Sequence, residues 1–231
     1  MTTTNAHWKN LIAADGNRLA AYIVEPTGKP RGSVVVLQEI FGVNSHIQAV
    51  AESYAAQGWR AIAPSTFARV EADVNLGYTA ADMARGFALK TAVDALPAPD
   101  VLADIQAAID EVSPAGNVGI VGFCWGGLLS WRAACELKGL TAAVTYYGGG
   151  MTMPPDIGRR PQVPVLSHFG DHDEYIPLDS IEAFRKAHSE VEAYVYPAHH
   201  GFNCDQRASY EAASALLARE RSFDFFRKHL G

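Results

Sequence analysis

Val118-Gly119-Ile120-Val121-Gly122-Phe123-Cys124-Trp125-Gly126-Gly127 is the stretch on which the fold turns. The apolar run at its start predicts a buried strand, and Leu128 to Leu137 continues as a helix-like stretch. Between them stands one reactive side chain bracketed by glycines, the pattern of a nucleophile elbow with cysteine in the serine position. A turn this tight forces strained backbone angles, and small residues two before and two after the nucleophile relieve the crowding. The thiol then emerges at a helix N-terminus. There the unsatisfied N–H groups and the positive end of the helix dipole favour a thiolate and can hold a developing oxyanion.

Such a nucleophile needs a base, and the base needs an orienting carboxylate; on this fold the acid comes first in the chain and the histidine last. Pro164 to Phe169 reads as a buried strand ending in the loop Gly170-Asp171-His172-Asp173-Glu174-Tyr175-Ile176-Pro177. Val191 to Tyr196 alternates as a strand and runs into Pro197-Ala198-His199-His200-Gly201-Phe202. Both loops follow the C-terminal ends of their strands, the edge where open α/β sheets collect ligands. Each offers two candidates, Asp171 or Asp173 for the acid and His199 or His200 for the base.

The rest of the chain agrees with that architecture. Leu11 to Ala13 and Leu19 to Val24 flank Ala14-Asp15-Gly16-Asn17-Arg18 as an opening β-hairpin. Strands are expected over 33–38, 60–63, 117–121, 142–146, 163–169 and 193–196, and helices over 45–57, 80–94, 99–112, 125–137, 178–189 and 208–229. This alternation predicts one α/β domain over residues 1–231: a mostly parallel twisted sheet with helices on both faces. Segment 64–98 is the most weakly patterned and is a candidate for part of a lid.

Composition excludes several function classes. Apolar residues make up 48% and charged residues 19%, which describes a packed globular chain. A net charge of -6 with no basic run argues against nucleic acid as a partner. Met1-Thr2-Thr3-Thr4-Asn5-Ala6-His7 has no charged start or apolar core, so neither a signal peptide nor a membrane anchor is expected. Cys124, Cys135 and Cys204 form an odd set without Cys-x-x-Cys, fitting free thiols in a reducing, cytoplasmic setting. A metal reading would rest on His168, Asp171, His172, Asp173, His199 and His200. Their histidines lack the i, i+4 helical spacing of zinc hydrolases, so no metal and no cofactor is expected.

The chain resembles the dienelactone hydrolase (carboxymethylenebutenolidase) family, a cysteine-nucleophile branch of the α/β-hydrolase fold. The resemblance runs from Ala14-Asp15-Gly16 to Asp224-Phe225-Phe226. It is carried by Gln38-Glu39-Ile40-Phe41-Gly42-Val43-Asn44, the elbow, Tyr146-Tyr147-Gly148, Asp173-Glu174-Tyr175-Ile176-Pro177 and His200-Gly201-Phe202. It implies a Cys124-His200-Asp173 triad acting on a small ester or lactone through a thioester. It also implies a role for Glu39 in deprotonating the thiol, and an oxyanion hole from the N–H groups of Ile40 and Trp125. Phe41, Trp125, Tyr146 and Phe202 would form apolar walls.

Two arginines hold the substrate carboxylate in that family. Arg85 falls where the first is expected, but four residues after His200 this chain has Cys204, with Arg207 three positions further on. A thiol does not replace a planar bidentate clamp, so the implied substrate broadens from dienelactone to esters and lactones generally, including those of a carboxylesterase or thioesterase. A thiol redox enzyme is the competing class, with Cys204 as its only candidate resolving cysteine.

Overall fold

The computed structural model describes residues 5–231; of the N-terminal stretch read above for targeting signals, residues 1–4 lie outside that range. Eight strands form one sheet in the order β1-β2-β4-β3-β5-β6-β7-β8. β1 (Asn5–Ile12) and β2 (Arg18–Glu25) make the expected hairpin, longer than its apolar residues alone indicate, and β2 runs antiparallel to β4 (Arg60–Pro64). From β4 onward every pairing is parallel, through β3 (Ser33–Leu37), β5 (Val118–Phe123), β6 (Leu140–Tyr146), β7 (Val165–Gly170) and β8 (Glu192–Tyr196). β3, β5 and β7 are buried at every residue, as strands covered on both faces must be.

Helices supply that cover. α1 (Ser45–Ala56) and α6 (Ala212–Leu230) pack together on one face, where Tyr54 meets Phe223 and Phe226 edge-on. α3 (Val101–Val112) and α4 (Trp125–Glu136) pack side by side against the sheet. α2 (Ala80–Asp94) and α5 (Leu178–Ala187) complete the set. Two helix starts fall later than the apolar pattern indicates. α3 begins after Asp100, whose side chain accepts from the Leu102 N–H, and α6 begins after Glu211, which caps the Ala213 and Ser214 N–H groups.

The weakly patterned segment 64–98 resolves into irregular chain followed by α2. A capping box between Thr79 and Asp82 starts this helix, and its side chains wall the site described next.

Candidate active site

Cys124 occupies the turn between β5 and α4 with φ 55° and ψ -118°. A non-glycine residue holds such a conformation only where its surroundings impose it. They do: the Cys124 N–H donates to the Tyr146 carbonyl at 3.0 Å, and its own carbonyl accepts from Gly127 and Leu128. The flanking glycines are required by contact. A Cβ at Gly122 would strike the Gly126 carbonyl, and one at Gly126 would strike the Gln38 carbonyl of the neighbouring strand end.

Beside the thiol lies a cavity of about 210 Å³, lined among others by Ile40, Phe41, Cys124, Trp125, His200 and Arg207. Among the described residues, neither the backbone N–H of Ile40 nor that of Trp125 donates to a protein acceptor. Both residues face the cavity beside the sulfur, one from the end of β3 and one from the first position of α4.

Of the two histidine candidates, His200 is buried and lines the cavity, while His199 is exposed and lies against His172. The His200 Nδ1–H donates to Asp173 Oδ2 at 2.8 Å. The other oxygen, Asp173 Oδ1, accepts the Tyr175 N–H at 2.9 Å, which fixes the carboxylate in its loop. Asp171 does something else. It accepts the Ala198 N–H at 3.1 Å and pairs with His172, binding the β7 loop to the β8 loop. Tyr147 and Tyr175 contact the His200 ring edge-on at centroid distances of 5.1 and 5.0 Å. Burial opposes a charge on this imidazole, but the negative charge that Cys124 can carry and the Asp173 carboxylate together push its pKa up to about 10.

Glu39 is almost fully buried at the end of β3. Its Oε1 accepts from Arg207 Nη1 at 3.2 Å, while Oε2 has no hydrogen-bond partner among the described residues. Arg207 therefore reaches the cavity although Cys204 holds the position where the second arginine is expected. Its guanidinium also stands 5.7 Å from the centre of the Phe41 ring. Burial works against the Arg207 charge, yet Glu39, with Tyr147 and Cys124, holds its pKa above the ordinary arginine value.

Arg85 is placed elsewhere. It is exposed, pairs with Glu71 and does not line the cavity. Gly86 explains why: a Cβ there would strike the Ile40 carbonyl, so α2 presses that face against the β3 end and turns its neighbour outward. One turn on, Lys90 takes a place in the wall, its ammonium 2.6 Å from Asp94, whose other oxygen accepts the Trp125 indole N–H at 3.1 Å. Tyr146 and Phe202 also stand outside the cavity wall. Tyr146 is core, its hydroxyl bonded to Ser222 at 2.7 Å, and Phe202 packs behind Tyr147.

The six residues on which a metal reading would rest do not come together as one ligand group among the described residues. His168 is buried between Tyr196 and Ser222, and burial with the nearby Arg221 lowers its pKa to about 3. Met83, Phe87, Lys90, Gly149, Gly150 and Tyr175 complete the cavity, and of these only Tyr175 falls within a motif quoted above. Nothing in their spacing marks them, because they reach it from α2 and from loops after β6 and β7.

A strand, a strained residue and a helix, with a buried Asp–His pair on the same sheet edge, place the chain in the α/β-hydrolase fold. The sequence profile described as "Dienelactone hydrolase family" matches residues 19–230. The chain belongs to that family. A protein of Escherichia coli, provisionally named a carboxymethylenebutenolidase, is 35% identical over 95% of this chain and 86% of its own length. A crystal structure from Klebsiella pneumoniae, provisionally named a dienelactone hydrolase, superposes with TM-score 0.81 at 30% identity, covering 97% of this chain and 99% of that one. A dienelactone hydrolase-like promiscuous phosphotriesterase from metagenomic libraries shares the fold, with TM-score 0.75 at 23% identity over 98% and 99% of the two chains.

Proposed function

We propose that this protein hydrolyses a small ester or lactone through a Cys124-His200-Asp173 triad. Family membership supports the reaction class, since relatives carry the name carboxymethylenebutenolidase. The observation that carries the residue assignment is the 2.8 Å His200–Asp173 pair opening onto the same cavity as the strained Cys124.

The steps follow from that arrangement. His200, oriented by Asp173, and Glu39 together hold the proton that Cys124 gives up, and the thiolate sulfur attacks the carbonyl carbon. Negative charge gathers on the carbonyl oxygen, where the free N–H groups of Ile40 and Trp125 receive it. The carbon–oxygen bond of the ester or lactone breaks, and His200 passes a proton to the departing oxygen. A water then attacks the thioester while His200 takes its proton. Carboxylic acid leaves, and the thiol is restored.

Asp173 orients the imidazole and stabilises its charged form throughout. Arg207 is the cation at hand for a substrate carboxylate, and Lys90 adds a second positive group to the cavity wall. Phe41, Met83, Phe87 and Trp125 supply the apolar surface. Three unpaired thiols support a reducing compartment such as the cytoplasm, and among the described residues no helix is long and apolar enough to cross a membrane.

The deciding experiment is turnover of dienelactone and of p-nitrophenyl acetate by Cys124→Ala, with folding checked by circular dichroism. A folded variant that keeps wild-type activity rejects the nucleophile. Mass spectrometry of the wild-type protein during turnover should find the acyl group on the peptide containing Cys124.

A further inference from the structure

Close to the Glu39–Arg207 pair, but outside the wall of the catalytic cavity, three side chains with metal-binding chemistry converge. One ring nitrogen of His46, the sulfur of Cys204 and a carboxylate oxygen of Asp205 lie within 4.8 Å of one another. They come from two elements that are pinned together. His46 is the second residue of α1, whose start is capped by Asn44 Oδ1 accepting the Ile47 N–H. Cys204 and Asp205 sit on the loop after His200, held by successive turns in which the Cys204 N–H donates to the Gly201 carbonyl and the Arg207 N–H donates to that of Cys204. Ser45 Oγ donates to Gln206 Oε1 at 3.0 Å and ties the loop to the helix.

The imidazole is the unexplained part. His46 is 4% exposed, yet its Nε2 is wholly enclosed with no hydrogen-bond partner among the described residues, and its Nδ1 has only a long contact to Asp205. Buried polar groups are almost always paired, so an imidazole so poorly partnered beside a thiol and a carboxylate asks for a reason. Packing alone does not give one, because an apolar residue would fill the space without the desolvation cost. The His46 Nδ1 stands 3.5 Å from Asp205 Oδ1. Two ligands of a tetrahedral zinc ion at ordinary bond lengths stand about 3.3 Å apart, so this pair needs almost no movement.

We propose that His46, Cys204 and Asp205 form a binding site for one thiophilic divalent cation, with Zn2+ the best match. Imidazole, thiolate and carboxylate together are a zinc-type donor set, whereas Mg2+ and Ca2+ take oxygen ligands. Asp205 is exposed, and His46, Asn203, Asp205 and Tyr210 border a recess of about 110 Å³. That gives the ion an approach and leaves its fourth position for water. On binding, the Cys204 S–H bond breaks, its proton passes to solvent and the sulfur electron pair goes to the metal; nothing is oxidised. Metal at Cys204 also sits next to Glu39 and Tyr78, which neighbour the same sulfur. The site stands independently of the proposed hydrolysis.

The test uses the full-length Cys124→Ala chain, so that the thiol in the catalytic cavity cannot compete. Titration with Co2+ under a non-chelating reductant should raise a sulfur-to-cobalt charge-transfer band in the near ultraviolet that saturates at one equivalent and is displaced by Zn2+. Adding Cys204→Ala should remove the band. Asp205→Asn changes an exposed side chain and keeps the fold; it should weaken binding by about tenfold or more. Absence of the band in the parent chain, its survival without Cys204, or undiminished affinity in Asp205→Asn would each overturn the site.

Discussion

The Arg207 guanidinium lies 3.2 Å from the Glu39 carboxylate, although 168 residues separate them in the chain. Both groups are nearly buried, at 13% and 1% side-chain exposure, so each is costly to leave alone. Arg207→Ala should destabilise the protein by about 3 kcal/mol or more, read as a lowered denaturant midpoint. Glu39→Gln in the same chain should recover part of that loss, since it removes the unpaired charge. No recovery would mean that the pair is not the source of the effect.

The same substitution should separate substrates. If Arg207 receives a substrate carboxylate, Arg207→Ala should lower kcat/KM for a carboxylate-bearing lactone by about tenfold to a hundredfold, corresponding to one charged hydrogen-bonding contact. Neutral aryl esters should change far less. Equal losses on both would place Arg207 in holding Glu39 alone. Arg85→Ala, by contrast, removes an exposed partner of Glu71 and should leave both rates within about twofold.

Gly86 is a test of positioning without chemistry. A Cβ there strikes the Ile40 carbonyl, so Gly86→Ala should push α2 and the β3 end apart and disturb the Ile40 N–H. A displacement near 1 Å in a catalytic group can cost on the order of a hundredfold in rate. We expect kcat to fall while alkylation of Cys124 by iodoacetamide continues. An unchanged kcat would remove Ile40 from the oxyanion site.

His200 should keep its proton through the neutral range, with a pKa of about 10, and the shift should shrink when Cys124 becomes alanine. The sign is that of a raised base. Its contribution to stability is complete below the ordinary histidine value of about 6.5 and is lost as pH rises through about 10. Proton NMR titration of the His200 ring in the wild type and in Cys124→Ala checks both. A pKa of about 6.5 in the wild type, the ordinary histidine value, would contradict the close charge pairing.

His168 predicts the opposite limb. Its pKa is lowered to about 3 by burial and Arg221, so the unfolded chain binds the proton that the folded one refuses. Stability should fall as pH drops from about 6.5 towards 3, by about 1.4 kcal/mol per unit from this residue. Urea midpoints across that range should be flatter for His168→Gln than for the wild type; parallel slopes would exclude it.

Features built from neighbouring residues can be read directly from the chain. The elbow is local in sequence: its glycines, its cysteine and the following helix lie in one short stretch, although Tyr146 and Gln38 brace it from neighbouring strand ends, and periodicity places the strands around it. Each loop candidate also follows its strand in sequence. Yet the choice of Asp173 over Asp171 needed the resemblance to a family, since both are aspartates of one loop. In the folded protein Asp171 faces the β8 loop and Asp173 faces His200, a distinction set by how the chain turns after β7.

Sequence alone therefore determined the fold class and the tight turn at position 124, because hydrophobic period and the sterics of a tight turn act over short stretches, while the family was read from the resemblance of its motifs. Tertiary structure decided the cations. Arg85 falls where the resemblance expects an arginine but faces solvent, while Arg207 and Lys90 reach the cavity from a loop and a helix whose directions depend on packing against the β3 end. Ion pairs and cavity walls form between distant segments, and the energy that selects them exists only once the sheet has brought those segments together.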